Sequence, residues 1–159
     1  MTTYKGIAAA TRVLSHIAGT ALDESVPGVP VTIATPGPDD GEGRLNIFLV
    51  EVSVQPNAPG HSLALRYLLS FFGPHPQAEL AAGAVESALH EHPVVTPADI
   101  EDALANEPEL EGSQLESQAS PVKITRDSGS PAELWRGLFD VPYALSTLYS
   151  MSPIVMSPS

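Results

Sequence analysis

The residues best suited to chemistry in this 159-residue chain are its five histidines, because imidazole can bind a metal or exchange a proton near neutral pH. Two of them form the run His90-Glu91-His92, but no histidine lies four positions after His90, so the His-Glu-x-x-His zinc arrangement is absent. Two positions apart on a helix, these side chains point to different sides. We interpret them as a solvated helix end that suits the negative helix dipole, and we predict no metal site. Of the remaining histidines, His16 and His61 are predicted to be exposed, and His75, between two prolines, is predicted to be a turn residue.

Other catalytic patterns are missing from the sequence. It contains no Gly-x-Ser-x-Gly, no Gly-x-Gly-x-x-Gly and no phosphate-binding Gly-Lys-Ser/Thr loop. The pair Gly41 and Gly43 leads into a predicted strand, whereas a phosphate cradle needs a helix N-terminus. Carboxylate pairs at 39–40 and 101–102 lie in polar stretches, and Trp135 fits the apolar face of a helix. We therefore predict a non-enzyme with no cofactor.

The charge balance excludes some classes of partner. Seven basic residues against 19 acidic ones give a formal charge of −12, which is unsuited to neutralising phosphates, so nucleic acid is not expected as a partner. Residues 67–122 contain ten carboxylates and no lysine or arginine. The simplest interpretation is a solvated face with a loop, and the alternative is a surface that meets a basic partner.

The ends and the cysteine content suggest a soluble protein that needs no disulfide. The chain has no cysteine, and the apolar run at residues 6–10 is interrupted by Thr11 and Arg12. This run is too short for a signal peptide or a membrane span. We predict no membrane insertion. The tail at 157–159 is predicted to be frayed.

The longest regular pattern is a pair of strands at residues 44–54 and 62–72, joined by the turn-rich stretch 55–61, QPNAPGH. Val50, Val52 and Val54 alternate with polar residues, which predicts one buried face for this half of the first strand. Residues 45–49 are apolar throughout, which predicts cover on both faces. The strands form a long antiparallel hairpin whose connection is looser than a two-residue turn.

The rest of the chain predicts helices and shorter strands around this hairpin. Helices are predicted at 4–22, 77–90 and from Pro97 to about residue 106, and at 131–139, with caps at Thr96 and Ser130. Leu134, Trp135, Leu138 and Phe139 are predicted to face the core. Strands are predicted at 31–35, 121–125 and 145–156, and an acidic loop at about 107–120. The result is one two-layer α+β domain over 1–159, with a mixed, largely antiparallel sheet and helices packed on it.

Four segments, in this order and spacing, resemble one known family. They are residues 44–50 (RLNIFLV), 62–73 (SLALRYLLSFFG), 88–95 (ALHEHPVV), and 133–139 (ELWRGLF) with 141–149 (VPYALSTLY). Together they resemble the N-terminal domain of tail-terminator, or cap, proteins of phage-tail-like extracellular contractile injection systems. The resemblance covers nearly the whole chain. Many relatives continue past the last strand, and no role of that further region is carried over.

The resemblance implies a structural role. Such proteins form a ring, typically a hexamer of identical subunits, at the baseplate-distal end of the tail, where they stop growth of the inner tube and the sheath. It implies assembly in the cytoplasm before the protein becomes part of the particle. We expect the hairpin connection, with Gln55, Asn57, Pro59 and His61, and the exposed edge of the hairpin strands to contact tube or sheath. The alternatives are a tail-completion adaptor of a contractile phage or prophage and a small enzyme without a recognisable motif.

Overall fold

The computed structural model of the protein describes residues 2–56 and 60–157. Its helices are α1 (Gly6–Ser25), α2 (Gln77–Glu91), α3 (Pro97–Leu104) and α4 (Pro131–Leu138). Its strands are β1 (Val31–Ile33), β2 (Arg44–Val54), β3 (His61–Phe72), β4 (Lys123–Arg126) and β5 (Leu145–Met156). No helix in this part of the chain is both long and apolar enough to cross a lipid bilayer.

The strands form one open sheet in the order β1-β2-β3-β5-β4. Only β1 runs parallel to its neighbour, β2, while the other pairs are antiparallel. The predicted α+β class with a mixed, largely antiparallel sheet and a central hairpin is confirmed. Its central strand is β3, because β2 and β5 pair with it along almost its whole length.

The larger apolar cluster lies on one face of the sheet beneath α1, α2 and α3. Leu65, Tyr67 and Leu69 of β3 pack there with residues such as Leu14 of α1 and Val85 of α2. Alternate residues of a strand point to opposite faces, so these three side chains share one face. The same face holds Leu45 and Ile47 of β2.

The opposite face of the sheet is covered by α4 at the end where β2 begins. Trp135 is 2% exposed and packs with Leu68, Phe72 and Leu148, as predicted for a core tryptophan. Phe48 of β2 also contacts this smaller cluster, with its ring centroid 5.3 Å from that of Phe139. The predicted cover on both faces of residues 45–49 is therefore confirmed.

One side chain of α4 departs from prediction. Leu138 is 53% exposed, so its expected place in the core is wrong. The cluster around Trp135 is completed by aromatic rings from other segments, including Phe72 and Tyr143, and α4 ends at Leu138. The last turn of the helix therefore turns Leu138 to the solvent.

A β-bulge changes the faces of β2. Leu49 pairs with Tyr67 and Glu51 pairs with Arg66, so Val50 is an extra residue in the ladder. Val50 consequently packs toward the α4 side, while Val52 and Val54 pair with residues of the larger cluster face. The prediction that Val50, Val52 and Val54 share one buried face is wrong.

The stretch between α3 and β4 contains two short 3-10 turns, Pro108–Leu110 and Leu115–Ser117. Leu115 is buried at 2% exposure and joins the larger cluster. The amide hydrogen of Thr3 donates to Ser113 O at 2.8 Å, which ties this stretch to the start of the chain.

Candidate functional site

The interface predicted from the sequence lies at the end of the β2–β3 hairpin that carries the connection 55–61. Here Gln55 N–H donates to Ser62 O at 2.9 Å, which closes the ladder at the end of β2. His61 starts β3, pairs with Met156 of β5 and is exposed. Gly60 has a φ of 67°, a left-handed conformation that glycine adopts without strain.

The structure brings together two of the four predicted interface residues. Gln55 directly follows β2 and His61 starts β3 at this end, whereas Asn57 and Pro59 lie outside the described residues. The Oε1 atom of Gln55 is buried and has no hydrogen-bond partner among residues 2–56 and 60–157. A buried amide oxygen without a partner is costly, so a donor from another chain would stabilise this position. The interface role of all four residues stays a prediction.

Two apolar side chains beside this end were not expected to be exposed. Val52 is 44% exposed and Val54 is 59% exposed, and both lie on the face that α1 covers further along the sheet. Their alternation with polar residues was visible in the sequence. No local pattern, however, shows where the helical cover of a sheet stops.

The end of β5 and the start of the chain complete this end of the sheet. Thr2 N–H donates to Val155 O at 2.8 Å, and Ser157 N–H donates to Thr2 O at 2.7 Å. Gln118 links the stretch after α3 to the same place, since its Oε1 accepts from Val155 N–H at 2.8 Å and its Nε2 donates to Pro153 O at 2.7 Å. These contacts join residues far apart in sequence, so local patterns could not reveal them.

A second group of polar side chains joins α2 to the β4–β5 edge. Tyr149 Oη donates to Glu86, and Arg126 forms an ion pair with the same carboxylate. Burial, and after it the neighbouring Glu86 carboxylate, raises the pKa of the Tyr149 phenol above its usual range. The phenol therefore stays protonated and acts as a hydrogen-bond donor. This arrangement holds elements together and offers no activated nucleophile.

The histidines do not assemble a metal centre. His16 and His92 line one open cleft of about 450 Å³ between the helices, together with Glu24, Glu91, Asp99 and Asp102. Within residues 2–56 and 60–157, no three histidine or carboxylate side chains are arranged to hold a metal ion. His90 and His92 are exposed at the end of α2, as expected for a solvated helix end.

A further open cleft of about 440 Å³ is acidic. Glu101, Glu107, Glu111 and Glu116 line it, with Leu104 and Leu110 between them. Arg12 forms an ion pair with Glu107 at 2.9 Å, and the Lys5 ammonium donates to the Glu111 carbonyl oxygen at 2.7 Å. The acidic side chains of this cleft can face either solvent or a basic partner.

A protein-family model matches most of this chain. The model of the family described as the Pvc16 N-terminal domain matches residues 9–159. No match is found among functionally curated proteins.

Two solved structures share the fold of this chain. One is described as the sheath/tube terminator of an extracellular contractile injection system, PVC, in its extended state; it is 14% identical with a TM-score of 0.53. The other is described as the tube-terminating cap of the anti-feeding prophage; it is 17% identical with a TM-score of 0.55. The matches cover 89% and 91% of this chain but 56% and 54% of those chains. This chain therefore spans about half the length of the solved proteins that it resembles.

Proposed function

Because this chain belongs to the Pvc16 N-terminal domain family, we propose that it is a structural cap that ends the inner tube and the sheath of a contractile injection particle. The observation that carries the proposal is the family match over residues 9–159. The shared fold of the two terminator structures supports it. Assembly takes place in the cytoplasm, after which the protein is part of the particle.

The cap acts as a ring of identical subunits, a homohexamer, on the baseplate-distal end. A ring closes when two different patches of the same chain meet with a fixed rotation, and such contacts need neither ligand nor cofactor. The exposed apolar residues of this chain are compatible with that requirement, since they occur in separate places. Val52 and Val54 lie near one end of the sheet, and Leu138 and Tyr143 lie on or just after α4.

The hairpin end is the surface that meets the particle. Gln55, Asn57, Pro59 and His61 contact tube or sheath in this proposal. The Gln55 Oε1 atom supports it, because it is buried and finds no donor in the described part of the chain, and a second protein can supply one. In this proposal the protein acts without catalysis, as the two solved structures described as terminators suggest.

Electron microscopy of gold-labelled chain in particles from the source cells tests the proposal. We expect the label at a single end of rod-shaped particles. Replacing residues 57–61 with Gly/Ser should remove the label from the rods, whereas the matched change of Asp39 and Glu42 to serine, in the exposed loop before β2, should leave it. Unlabelled complete rods beside soluble chain would refute the cap assignment. Label retained by the 57–61 variant would refute only the hairpin contact.

A tail-completion adaptor of a contractile phage or prophage is the second candidate. In that case the labelled end would carry a DNA-filled head in the same micrographs, whereas an injection particle would end at the cap.

A further inference from the structure

The outer edge of β2 is open beyond the point where β1 ends. β1 pairs with β2 only from Leu45 to Ile47, and Ala34 N–H adds one bond to Ile47 O at 3.2 Å. Within residues 2–56 and 60–157, no further backbone group bonds to this side of β2 between Leu49 and Val54. The distal half of the strand therefore has a β neighbour on one side only.

The hydrogen-bond directions along this half of β2 follow from its pairing with β3. Gln55 N–H bonds inward to Ser62 O at 2.9 Å, so the backbone groups of Val54 and Val52 point away from β3. The bulge at Val50 interrupts the ladder, and regular pairing resumes at Glu51. The open edge thus presents two residues with regularly spaced, outward donors and acceptors.

The other edges of the sheet are protected, which sets this one apart. β4 has four residues, carries Lys123 and Arg126, and is bridged by Val94 on its outer side. β1 has three residues. Short strands, charged side chains, prolines, β-bulges and covering segments are the usual means by which sheets avoid edge pairing. Of these, the open edge has the Glu51 carboxylate and the bulge at Val50, both at its inner end. Between Glu51 and Val54 the edge carries no proline and no cation, and two exposed valines flank it.

The faces of this edge define the strand that would fit it. Val52 and Val54 lie on one face, and Glu51 and Ser53 lie on the other. A partner strand therefore needs apolar residues on the valine face and polar residues opposite. A second copy of this chain does not supply such a strand in a ring. Its β4 edge is bridged by Val94, and pairing through two β2 edges would give a closed twofold dimer.

We infer that the open edge of β2 at Val52 and Val54 accepts an extended strand of an inner-tube subunit, which extends the sheet of the cap. This inference rests on the proposed function. The tube is the component that both solved structures of this fold are described as terminating, whereas the sheath is named for one of them. Backbone hydrogen bonds supply the attachment, and the valine face selects the partner residues.

Co-sedimentation of the full chain with sheath-free tubes from the same source tests the inference. Val52→Pro removes an outward N–H that no described residue uses, and proline is tolerated on edge strands. Val52→Ile is the matched control, since it keeps the N–H, the β-branched shape and the apolar surface. We expect the proline variant to bind tubes at least about tenfold more weakly than the isoleucine variant, because a backbone bond and the fit around it are lost.

Amide hydrogen exchange of the unmodified chain gives a second measurement that needs no variant. The amides of Val52 and Val54 should exchange fast in the free chain and become protected on tubes, while the inward amide of Ser53 is slow in both states. Tube-bound chain with fast exchange at Val52 and Val54 would overturn the inference, as would equal binding of the proline and isoleucine variants. If gold-labelled wild-type chain marks particle ends while either of these results is found, the edge assignment alone fails. If no particle end is labelled, both the edge assignment and the proposed function fail.

Discussion

Arg66 and Asp127 form the best-defined ion pair in the described chain. Arg66 Nε and Nη2 donate to the two carboxylate oxygens of Asp127 at 3.0 and 3.1 Å. Gly129 N–H donates to Asp127 Oδ1 at 2.8 Å. This backbone bond is the main reason that the pKa of Asp127 lies below its ordinary value of 3.8, and the Arg66 guanidinium adds to it. The pair attaches the connection between β4 and α4 to the middle of β3.

Asp127→Asn should destabilise the fold at neutral pH by about 1 kcal/mol, because the pair is partly open to solvent. A carboxyl whose pKa is lowered by folding stabilises the fold above its unfolded pKa and loses that contribution as the pH falls through the folded value. The difference between the two proteins should therefore be full above about pH 5 and shrink below pH 3.8. Urea unfolding across this pH range measures it.

Asp140→Asn is the matched control, because Asp140 is exposed two positions after the end of α4. It should change the free energy of unfolding by less than about 0.5 kcal/mol. A constant difference between wild type and Asp127→Asn from pH 7 down to pH 2 would contradict the ion-pair account.

Single side chains differed in how far their roles could be predicted. The prediction that Trp135 lies in the core is confirmed. A large apolar ring on the inner face of an amphipathic helix is usually buried. Leu138 lies on the same helix, yet it is exposed because rings from β2, β3 and the segment after α4 already complete the cluster. The surroundings of Leu138 are set by tertiary structure, which helical spacing does not encode.

At the scale of elements, local chemistry predicted the caps well. Thr96 Oγ1 accepts from Asp99 N–H at 3.1 Å and Asp99 returns a bond to Thr96 N–H at 2.9 Å, so α3 begins with a complete capping box. Ser130 accepts from Glu133 N–H at 3.3 Å at the start of α4. The bulge at Val50 was not predicted, because it depends on the register against β3. The exposure of Val52 and Val54 depends on where α1 lies.

Two glycines should respond oppositely to alanine. Gly73, just after β3, has a φ of 124°, and a Cβ there would lie 2.9 Å from the Gly43 Cα atom, so Gly73→Ala should cost at least about 1 kcal/mol. Gly83 lies inside α2 with open space around its Cα, so Gly83→Ala should stabilise the fold by about 0.5 to 1 kcal/mol.

Thermal unfolding of the two variants beside wild type gives the comparison. Gly83→Ala serves as the control for the added methyl group itself. The assignment of Gly73 to a close backbone approach would be wrong if both alanine variants unfolded at a higher temperature than wild type.

At the scale of the whole molecule, the sequence patterns predicted the fold class but not the order of the strands in the sheet. Alternating strand and helix patterns with one long hairpin pointed to an α+β domain, and the five-stranded sheet agrees. The parallel placement of β1 and the insertion of β5 between β3 and β4 were not predicted. These pairings join distant segments, and no local turn specifies them.

Net charge predicts how salt affects assembly of the proposed ring. Copies that each carry a formal charge of −12 repel one another, and added salt screens that repulsion. Self-association should therefore become tighter between roughly 30 mM and roughly 300 mM NaCl, as followed by analytical ultracentrifugation. Glu109→Gln with Glu111→Gln, two exposed sites, should show a smaller salt effect. Association that weakens steadily with salt would contradict a repulsion-limited ring.

The central position of β3 also affects how this chain folds during synthesis. Ser70 and Ser146 share a buried hydrogen bond at 2.9 Å although they are 76 positions apart in sequence. On the ribosome, β3 can pair with β2 soon after both emerge, but its other edge waits for β5 through the synthesis of α2, α3, β4 and α4. For that interval the nascent chain carries an apolar strand with one unpaired edge, the kind of segment that is prone to aggregate before folding is complete.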